Sequence, residues 1–211
     1  MKYIPRFTKE DIEENHKQFN DRVQLYKNLG FDFTDSRKFI IKKSKPSRGK
    51  MLEIGCGNGY MTLELARSGY KFVSVDSDED AVRKTALNLA YENLHTNVEF
   101  YVMDGKRLSF VGEYFDNIIV VNLFHHITDI DDMLLEMDRV LLPNGKIVMA
   151  DFNNNGMGII NSVHKKEGRI HEDCGVTKGH VFSYYKGLGY ELDEHDDKYH
   201  WVLIAQKRIQ Q

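Results

Sequence analysis

The sequence predicts an α/β fold in which a doubly wound, mostly parallel sheet ends in an antiparallel hairpin, and two observations lead to this prediction. Five short apolar runs lack strict alternation with polar residues and are separated by helix-like stretches, which is typical of strands buried on both faces of a parallel sheet. Two further runs, at 190–195 and 199–206, are joined by only a few polar residues, and so short a connection permits only an antiparallel hairpin. We therefore expect seven strands in one sheet.

The alternating part of the chain begins near residue 50. The segment after its fifth strand is expected to be a loop, followed by a helix at 177–188. The predicted strands lie at 51–54, 72–75, 98–102, 118–121 and 147–150, and the predicted helices between them at about 60–68, 78–93 and 130–141.

The N-terminal part is predicted to be helical. Thr8 and Asp11 have the spacing of a capping box, and an apolar stripe at helical spacing follows them, which predicts a helix over 8–29. A shorter helix is predicted from 34 or 35 to about 43, and Pro46 then marks a boundary.

Composition excludes several classes of protein. The net charge is −3, with 29 basic and 32 acidic residues, which gives no general reason to expect nucleic acid as a partner. No apolar run approaches the ~18 residues of a membrane span, and no apolar stretch of a secretory signal is found at the N-terminus. Two cysteines are too few for a disulfide framework or a cysteine-only zinc site, so we expect a reduced, cytoplasmic location.

One stretch departs from this charge balance. Seven basic residues lie between Arg37 and Lys50, with no acid among them. Such a stretch can attract phosphate or a polyanion. A solvated helix end followed by a linker explains it equally simply, and this is the interpretation we prefer.

A glycine-rich loop follows the first predicted strand, in the segment Glu53-Ile-Gly-Cys-Gly-Asn-Gly. Its three glycines permit tight turns and leave main-chain N–H groups accessible to a ligand. A dinucleotide fingerprint would need glycine at position 60, where the chain has Tyr60. The acidic residue two places before the first glycine favours a cationic ligand over a pyrophosphate. Cys56, inside the loop, is expected to pack.

A carboxylate ends the second predicted strand. Asp76 follows the apolar run 72–75, at the edge of the sheet where ligands of open α/β folds bind. A carboxylate there can accept hydrogen bonds from both hydroxyls of a ribose. The alternative is structural, because Asp76 or Ser77 would also serve as the cap of the helix that begins near 78.

Polar residues also end the third and fourth predicted strands. Asp104 and Gly105 follow the run 98–102, and a carboxylate in that position can accept the exocyclic amine of an adenine. Asn122 ends the next strand and is followed by Leu123.

With these motifs in this order, the chain resembles the class I S-adenosylmethionine-dependent methyltransferases, and within them the small-molecule branch typified by ubiquinone and menaquinone biosynthesis (methyltransferase types 11, 12 and 25). The resemblance spans 50–151 and implies a Rossmann-like sheet with S-adenosylmethionine as the cofactor. It implies that the loop holds the methionine part, that Asp76 binds the ribose, and that Asp104 and Gly105 meet the adenine. The implied cofactor-binding residues are Glu53, Gly55, Cys56, Gly57, Asn58, Gly59, Asp76, Ser77, Asp104, Gly105, Asn122 and Leu123.

The resemblance also implies the reaction, which is in-line displacement at a sulfonium methyl by a small-molecule acceptor. The leaving group is a neutral thioether, so no metal is expected. His125 is the candidate base, since an imidazole can take a proton near neutral pH, although it is equally suited to shaping the pocket. A protein or RNA acceptor, and an inactive cofactor-binding module, are the alternatives. The oligomeric state is not predicted.

A second group of histidines has ligand types that suit zinc. It comprises His164, His171, Cys174 and His180, but its spacings match no familiar structural site, so no metal is predicted there.

The chain is expected to divide into two parts. Residues 1–45 would form an N-terminal helical lid, and 46–211 the cofactor-binding domain, with 152–180 as a possible second lid segment over the acceptor. Aromatic residues in these segments, such as Tyr26 and Phe152, would wall a closed pocket for a small acceptor.

Overall fold

The computed structural model describes residues 1–168 and 176–208 and has one mixed sheet flanked by helices. In this part of the chain the strand order is β1-β4-β3-β2-β5-β6-β8-β7. The strands are β1 (Lys2–Tyr3), β2 (Met51–Ile54), β3 (Phe72–Asp76), β4 (Val98–Val102), β5 (Phe115–Val121), β6 (Leu141–Phe152), β7 (Glu191–Asp196) and β8 (His200–Gln206). The helices are α1 (Lys9–Lys27), α2 (Phe33–Ser44), α3 (Tyr60–Arg67), α4 (Glu79–Tyr91), α5 (Asp131–Val140), α6 (Asn154–Lys166) and α7 (Lys178–Gly187).

The predicted fold class is confirmed. Strands β2 to β6 pair in parallel, and β7 and β8 form an antiparallel hairpin that adds to β6. Side chains of alternate residues in the central strands lie on opposite faces of the sheet. Helices α5 and α7 pack on one face, and α2, α3 and α4 pack on the other. The sheet is therefore doubly wound, as the unalternating apolar runs predicted.

The sheet has one strand more than the seven predicted. The additional strand, β1, pairs antiparallel with β4 at the edge of the sheet. It is only two residues long and carries no periodic pattern, so nothing in the local sequence marks it as a strand.

The N-terminal helices begin at caps. Thr8 and Asp11 form the predicted capping box, in which each side chain accepts a hydrogen bond from the other residue's backbone N–H. Helix α2 begins one or two residues earlier than predicted because Asp32 caps it, accepting from the backbone N–H of Thr34 at 2.8 Å.

Helix α6 corrects the prediction of a loop after the fifth strand. Two glycines and three asparagines between 153 and 158 lower its intrinsic helix propensity. Asn153 nevertheless caps it, accepting from the backbone N–H groups of Asn155 and Gly156. A Cβ at Gly156 would lie 2.3 Å from the carbonyl oxygen of Tyr199, so this glycine permits α6 to approach the turn between β7 and β8.

A third apolar cluster joins the N-terminal helices to α6. It contains Tyr26, Phe31, Phe33, Phe152, Ile160 and Val163, and it lies apart from the two sheet-face cores. No helix within residues 1–168 and 176–208 is long and apolar enough to cross a membrane.

Candidate active site

Two adjoining cavities open at the edge where the parallel strands end. We term them the front cavity, of about 330 Å³, and the side cavity, of about 200 Å³. Gly55, Asp76, Leu123 and His126 line both. Ten of the twelve predicted cofactor-binding residues line one cavity or the other, and the exceptions are Glu53 and Gly59.

The glycine loop is tightly folded against β3 and β5. Gly55 donates its backbone N–H to the carbonyl of Val75 at 2.8 Å and has a φ of +82°. A Cβ at this position would lie 2.8 Å from Cδ2 of Leu123. Both the positive φ and the close approach therefore require glycine at 55.

Asp76 braces the loop from the end of β3. Its Oδ2 accepts the backbone N–H of Gly57 at 2.9 Å, and its Oδ1 accepts that of Asp78 at 3.0 Å. The cap of α4 is Asp78, which accepts from the backbone N–H of Asp80. The structural alternative, in which Asp76 or Ser77 caps this helix, is therefore wrong.

The side cavity lies between the ends of β3 and β4. Ser77, Asp104 and Gly105 line it together with apolar residues that include Met103 and Ile127. Oδ1 of Asp104 accepts the backbone N–H of Lys106 at 2.9 Å, which fixes the turn after β4. The cavity thus combines carboxylates at its rim with apolar walls.

Glu53 lies behind the loop rather than in a cavity wall. Its Oε2 accepts hydrogen bonds from the hydroxyls of Thr62 and Ser74, at 2.8 and 2.6 Å. Its Oε1 is buried and has no partner among the described residues. Burial raises the pKa of Glu53 to about 7, against the hydrogen bonds, which lower it.

Asn122 ends β5 in a left-handed conformation, with a φ of +56°. Its backbone N–H donates to the carbonyl of Ala150 at 2.8 Å. Its Oδ1 is buried and has no partner among the described residues, although Asn122 lines the front cavity. This amide oxygen is available as an acceptor for a cationic or amino-bearing ligand.

His125 is held by Asp151, a residue that the sequence analysis missed. Nδ1 of His125 donates to Oδ1 of Asp151 at 2.6 Å, and its backbone N–H donates to Oδ2 at 3.1 Å. Both side chains are buried, and His125 lines the front cavity. The carboxylate fixes the orientation and tautomer of the ring.

The helical side of the front cavity contains two arginines. Arg22, on α1, is ion-paired with Glu167 at 2.5 Å. Arg37, on α2, is buried, and its hydrogen-bond partners among the described residues are neutral: Nε2 of His200 at 3.2 Å and Oγ of Ser36 at 3.5 Å. Burial lowers the pKa of Arg37 to about 10, so the guanidinium stays charged at neutral pH.

Comparison with known proteins shows what the part of the chain that forms this site is similar to. A family model described as a methyltransferase domain matches residues 52–149. The mitochondrial "Ubiquinone biosynthesis O-methyltransferase" of Arabidopsis thaliana is 25% identical over 111 residues, and the "Ubiquinone biosynthesis O-methyltransferase" of Mesorhizobium japonicum is 28% identical over 113 residues. These similarities, together with the geometry of the site, support a class I S-adenosylmethionine-dependent methyltransferase.

These similarities concern the cofactor-binding part of the methyltransferase. They cover 52% and 53% of this chain, but 34% and 45% of the two relatives, so the matched region spans less than half the length of each relative. The crystal structure of the PH0226 protein from Pyrococcus horikoshii has the same fold, with a TM-score of 0.68 at 22% identity over 90% of this chain and 92% of that one.

The residues of this site that sequence reasoning missed lie mostly outside the matched region. Arg22, Arg37 and Ile160 line the front cavity, yet they belong to α1, α2 and α6. Arg37 was assigned to a solvated basic stretch, and only its burial distinguishes it from the lysines that follow. Asp151 had a local signal, because it ends a strand as Asp76 does.

The histidine group whose ligand types suit zinc lies only partly within the described residues. His164 lines the front cavity, whereas His180 lies at the surface and contacts Asp131 at 2.8 Å. His171 and Cys174 lie outside the described residues. Within the described residues, no group of three or more His, Cys, Asp or Glu side chains could hold a metal ion.

Proposed function

We propose that the protein transfers the methyl group of S-adenosylmethionine to a small-molecule acceptor. The observation that carries this proposal is the lining of the front cavity, to which the glycine loop contributes together with residues of α1, α2 and α6. An acceptor that reaches a cofactor held by the loop would share with it a space of about 330 Å³. A folded macromolecule does not fit such a space unless it inserts a single side chain or base.

The basic stretch gives little support to the RNA alternative. Lys50 directly precedes β2, so the stretch ends at the opposite edge of the sheet from the cavities. Lys146, on β6, which is separated from β2 by β5, donates to the carbonyl of Ser44 at 2.7 Å and so ties the end of α2 to that far edge. A polyanion bound by the lysines from Lys42 to Lys50 would not reach the glycine loop.

The residues of the site match the parts of the cofactor. We assign the adenosine to the side cavity, with Asp76 accepting from the ribose hydroxyls and Asp104 from the adenine amine. The methionine part would then extend into the front cavity, where Asn122 Oδ1 can accept from its ammonium. Arg37 is the better partner for its carboxylate, because Arg22 already pairs with Glu167.

Orientation supplies most of the expected rate enhancement. The cofactor, when bound, supplies a methyl group on a sulfonium that departs as a neutral thioether. Holding two reactants in line is worth roughly 7–11 kcal/mol in favourable cases. Leu123 and Asn122, on the tight turn after β5, and Phe152, at the end of β6, would position the reactants and exclude water.

His125 is the proposed base for an acceptor that loses a proton. Its Nδ1–H is directed at Asp151, so the lone pair that can take a proton is on Nε2. Asp151 would stabilise the imidazolium that results. A positioned base of this kind contributes about 10²–10⁴-fold to a rate.

Binding and transfer measurements test the proposal. Calorimetry should detect S-adenosylhomocysteine but not NAD, and the product at 100 times its dissociation constant should stabilise the fold by about 2.7 kcal/mol. Methyl-labelled cofactor should then label pooled phenols, amines or thiols rather than RNA or protein. Comparable binding of NAD would contradict the cofactor assignment, and label found only in macromolecules would contradict the acceptor class.

A further inference from the structure

The turn between β7 and β8 reaches the wall of the front cavity. His200, the first residue of β8, is completely buried, and its Nε2 lies 3.2 Å from Nη1 of Arg37. Its Nδ1 lies 2.9 Å from the hydroxyl of Ser36. That hydroxyl is in turn 2.9 Å from Oδ2 of Asp197, at the start of the turn. A side chain that lies 163 residues after Arg37 is thus its nearest hydrogen-bond partner.

The proton positions in this chain of contacts follow from the donor chemistry of its ends. An arginine can only donate and an ionised carboxylate can only accept. The single hydroxyl proton of Ser36 therefore goes to Asp197, Nδ1–H of His200 goes to Ser36, and Nε2 accepts from Arg37. The hydrogen bonds thus run in one direction, from Arg37 through His200 to Asp197, mainly by way of Ser36 and also by a longer contact of Nδ1 with Oδ1 of Asp197 at 3.3 Å.

The environment of His200 keeps it in the neutral form that this direction requires. Burial lowers its pKa, and the neighbouring Arg37 adds to this effect, whereas Asp197 and Asp151 oppose it. Asp197 stays ionised: burial alone would raise its pKa, but hydrogen bonds from His200, the backbone and Ser36 outweigh burial and lower it. The backbone N–H groups of Tyr199 and His200 both donate to its Oδ1 at 2.6 Å.

The contact orients Arg37 without neutralising it. His200 occupies only Nη1, and Nε of Arg37 is buried with no partner among the described residues. The guanidinium also lies over the ring of Phe33, at 5.5 Å. A neutral partner on one side and an aromatic ring on another fix the position of the group while its charge remains available to an anion in the cavity.

We propose that His200, held by Ser36 and Asp197, is a positioning residue that directs Arg37 at the carboxylate of the cofactor. This inference rests on the proposed function, in which Arg37 binds that carboxylate. It gives the closing hairpin a role in the site that the similarity over 52–149 does not include. The hairpin completes the sheet and also determines how strongly the amino-acid end of the cofactor is held.

The test compares two ligands that differ in the carboxylate alone. S-adenosylhomocysteine has it, whereas the decarboxylated analogue keeps the adenosine, the thioether and the amine. His200→Phe should weaken binding of S-adenosylhomocysteine about tenfold, the cost of one hydrogen bond to a charged group, and change binding of the analogue less than about twofold. His200→Gln should recover most of the loss, because its amide oxygen can accept from Arg37.

Three further variants make the result decisive. Asn155→Ala removes a 3.2 Å hydrogen bond to the carbonyl of Lys198 in the same turn and should alter neither affinity. Ser36→Ala removes the 2.9 Å contact with Nδ1 of His200 and leaves only the longer contact of Nδ1 with Asp197 at 3.3 Å, while the buried ring itself is unchanged. It therefore replaces His200→Phe if that variant does not fold, and it should lower only the affinity for S-adenosylhomocysteine, severalfold. Arg37→Gln should abolish the preference of the protein for the carboxylate-bearing ligand.

Each contrary outcome has a distinct meaning. Equal weakening of both ligands by His200→Phe, with no recovery in His200→Gln, would make His200 merely structural and overturn the inference. Loss of the preference in Arg37→Gln but not in the His200 and Ser36 variants would also overturn it, while the proposed function would stand. If the unaltered protein binds neither ligand, the proposed function itself fails.

Discussion

The strand-edge side of the front cavity presents backbone N–H groups and acids, whereas the helical side presents arginines and aromatic rings. On the first side, Gly57 and Asp76 are joined by a hydrogen bond within the edge of one sheet. The second side contains Arg22, Phe33 and Arg37, which belong to α1 and α2. Among the described residues, these two helices contact the rest of the protein through side chains and turns. On the proposed function, the first side would hold the cofactor, and the second is where selection of the acceptor would differ between proteins.

The two sides are also fixed by different kinds of contact. The strand-edge side is held by parallel pairing and by a glycine whose Cβ would be 2.8 Å from Leu123, so it has little freedom to move. The helical side is held at separate points, such as the hydrogen bond of 2.6 Å from the hydroxyl of Tyr199 to the carbonyl of Gly30 and the ion pair of Arg22 with Glu167. We therefore expect changes on the two sides to have separable effects.

The largest expected effect is a loss of turnover when Asp151, at the junction of the two sides, is changed. Asp151→Asn removes the carboxylate that orients His125 and stabilises its protonated form. Turnover should fall about 10²–10⁴-fold for an acceptor that loses a proton, because the base then lacks its orienting partner. The dissociation constant for S-adenosylhomocysteine should change little, and steady-state kinetics with calorimetry measure both. Unchanged turnover would mean that His125 only shapes the cavity.

The next effect separates a ligand contact from a helix cap on the strand-edge side. Asp76→Ala should weaken S-adenosylhomocysteine binding by at least about 100-fold, since charge-assisted hydrogen bonds are worth roughly 1.5–3 kcal/mol each. Asp78→Ala, two residues away, is the matched control, because it removes the cap of α4. It should lower the free energy of unfolding by about 1 kcal/mol and affect affinity much less. The reverse pattern would exchange the roles of the two residues.

The strand-edge side was predictable from sequence because its signals are local. Each of Gly55, Asp76, Asp104 and Asn122 directly follows an apolar run, so its place at the sheet edge follows once the run is identified as a strand. The exception is Glu53, whose side chain points behind the loop to Thr62 and Ser74. Its neighbours on α3 and β3 decide that orientation, and no pattern within the loop encodes it.

The helical side was not predictable because the roles of its residues depend on contacts with residues distant in the sequence. Arg37 differs from a surface lysine only through contacts with His200 and Phe33, and the contact with His200 crosses 163 positions of the chain. Helix α6 was missed because its first turn has poor helix propensity, and its cap and its packing against Tyr199 outweigh that propensity. The apolar stripe of α1 predicted a covering segment, but nothing in it indicated that arginines of α1 and α2 line the cavity.

Measuring stability against pH tests whether Glu53, buried behind the glycine loop of the strand-edge side, titrates near pH 7. Burial raises the pKa of Glu53 to about 7 from a usual value of 4.5, so the folded protein binds this proton more tightly than the unfolded chain. Its contribution to stability is greatest below about pH 4.5 and is lost as the pH rises to about 7, by at most about 3 kcal/mol. Denaturant unfolding of Glu53→Gln should lack this decline. Parallel curves for both proteins would mean that Glu53 does not titrate in this range.

The smallest expected effect is a difference in proteolytic protection between two ligands. It shows whether the helical side closes on the ligand or only lies over it. If Arg37 binds the carboxylate, α1 and α2 can move away from the cavity only when that contact breaks. A bound ligand therefore raises the free energy of this opening by the free energy of the contact. At equal saturation, S-adenosylhomocysteine should slow proteolytic cleavage within Lys9–Lys27 about tenfold, whereas the decarboxylated analogue should slow it much less. Limited proteolysis with mass spectrometry locates the cleavage sites, and cleavage between α3 and β3, at the opposite edge of the sheet from the cavities, serves as an internal reference. Equal protection by both ligands would show that the helical side responds to the adenosine alone, and the two sides of the cavity would then act as one unit.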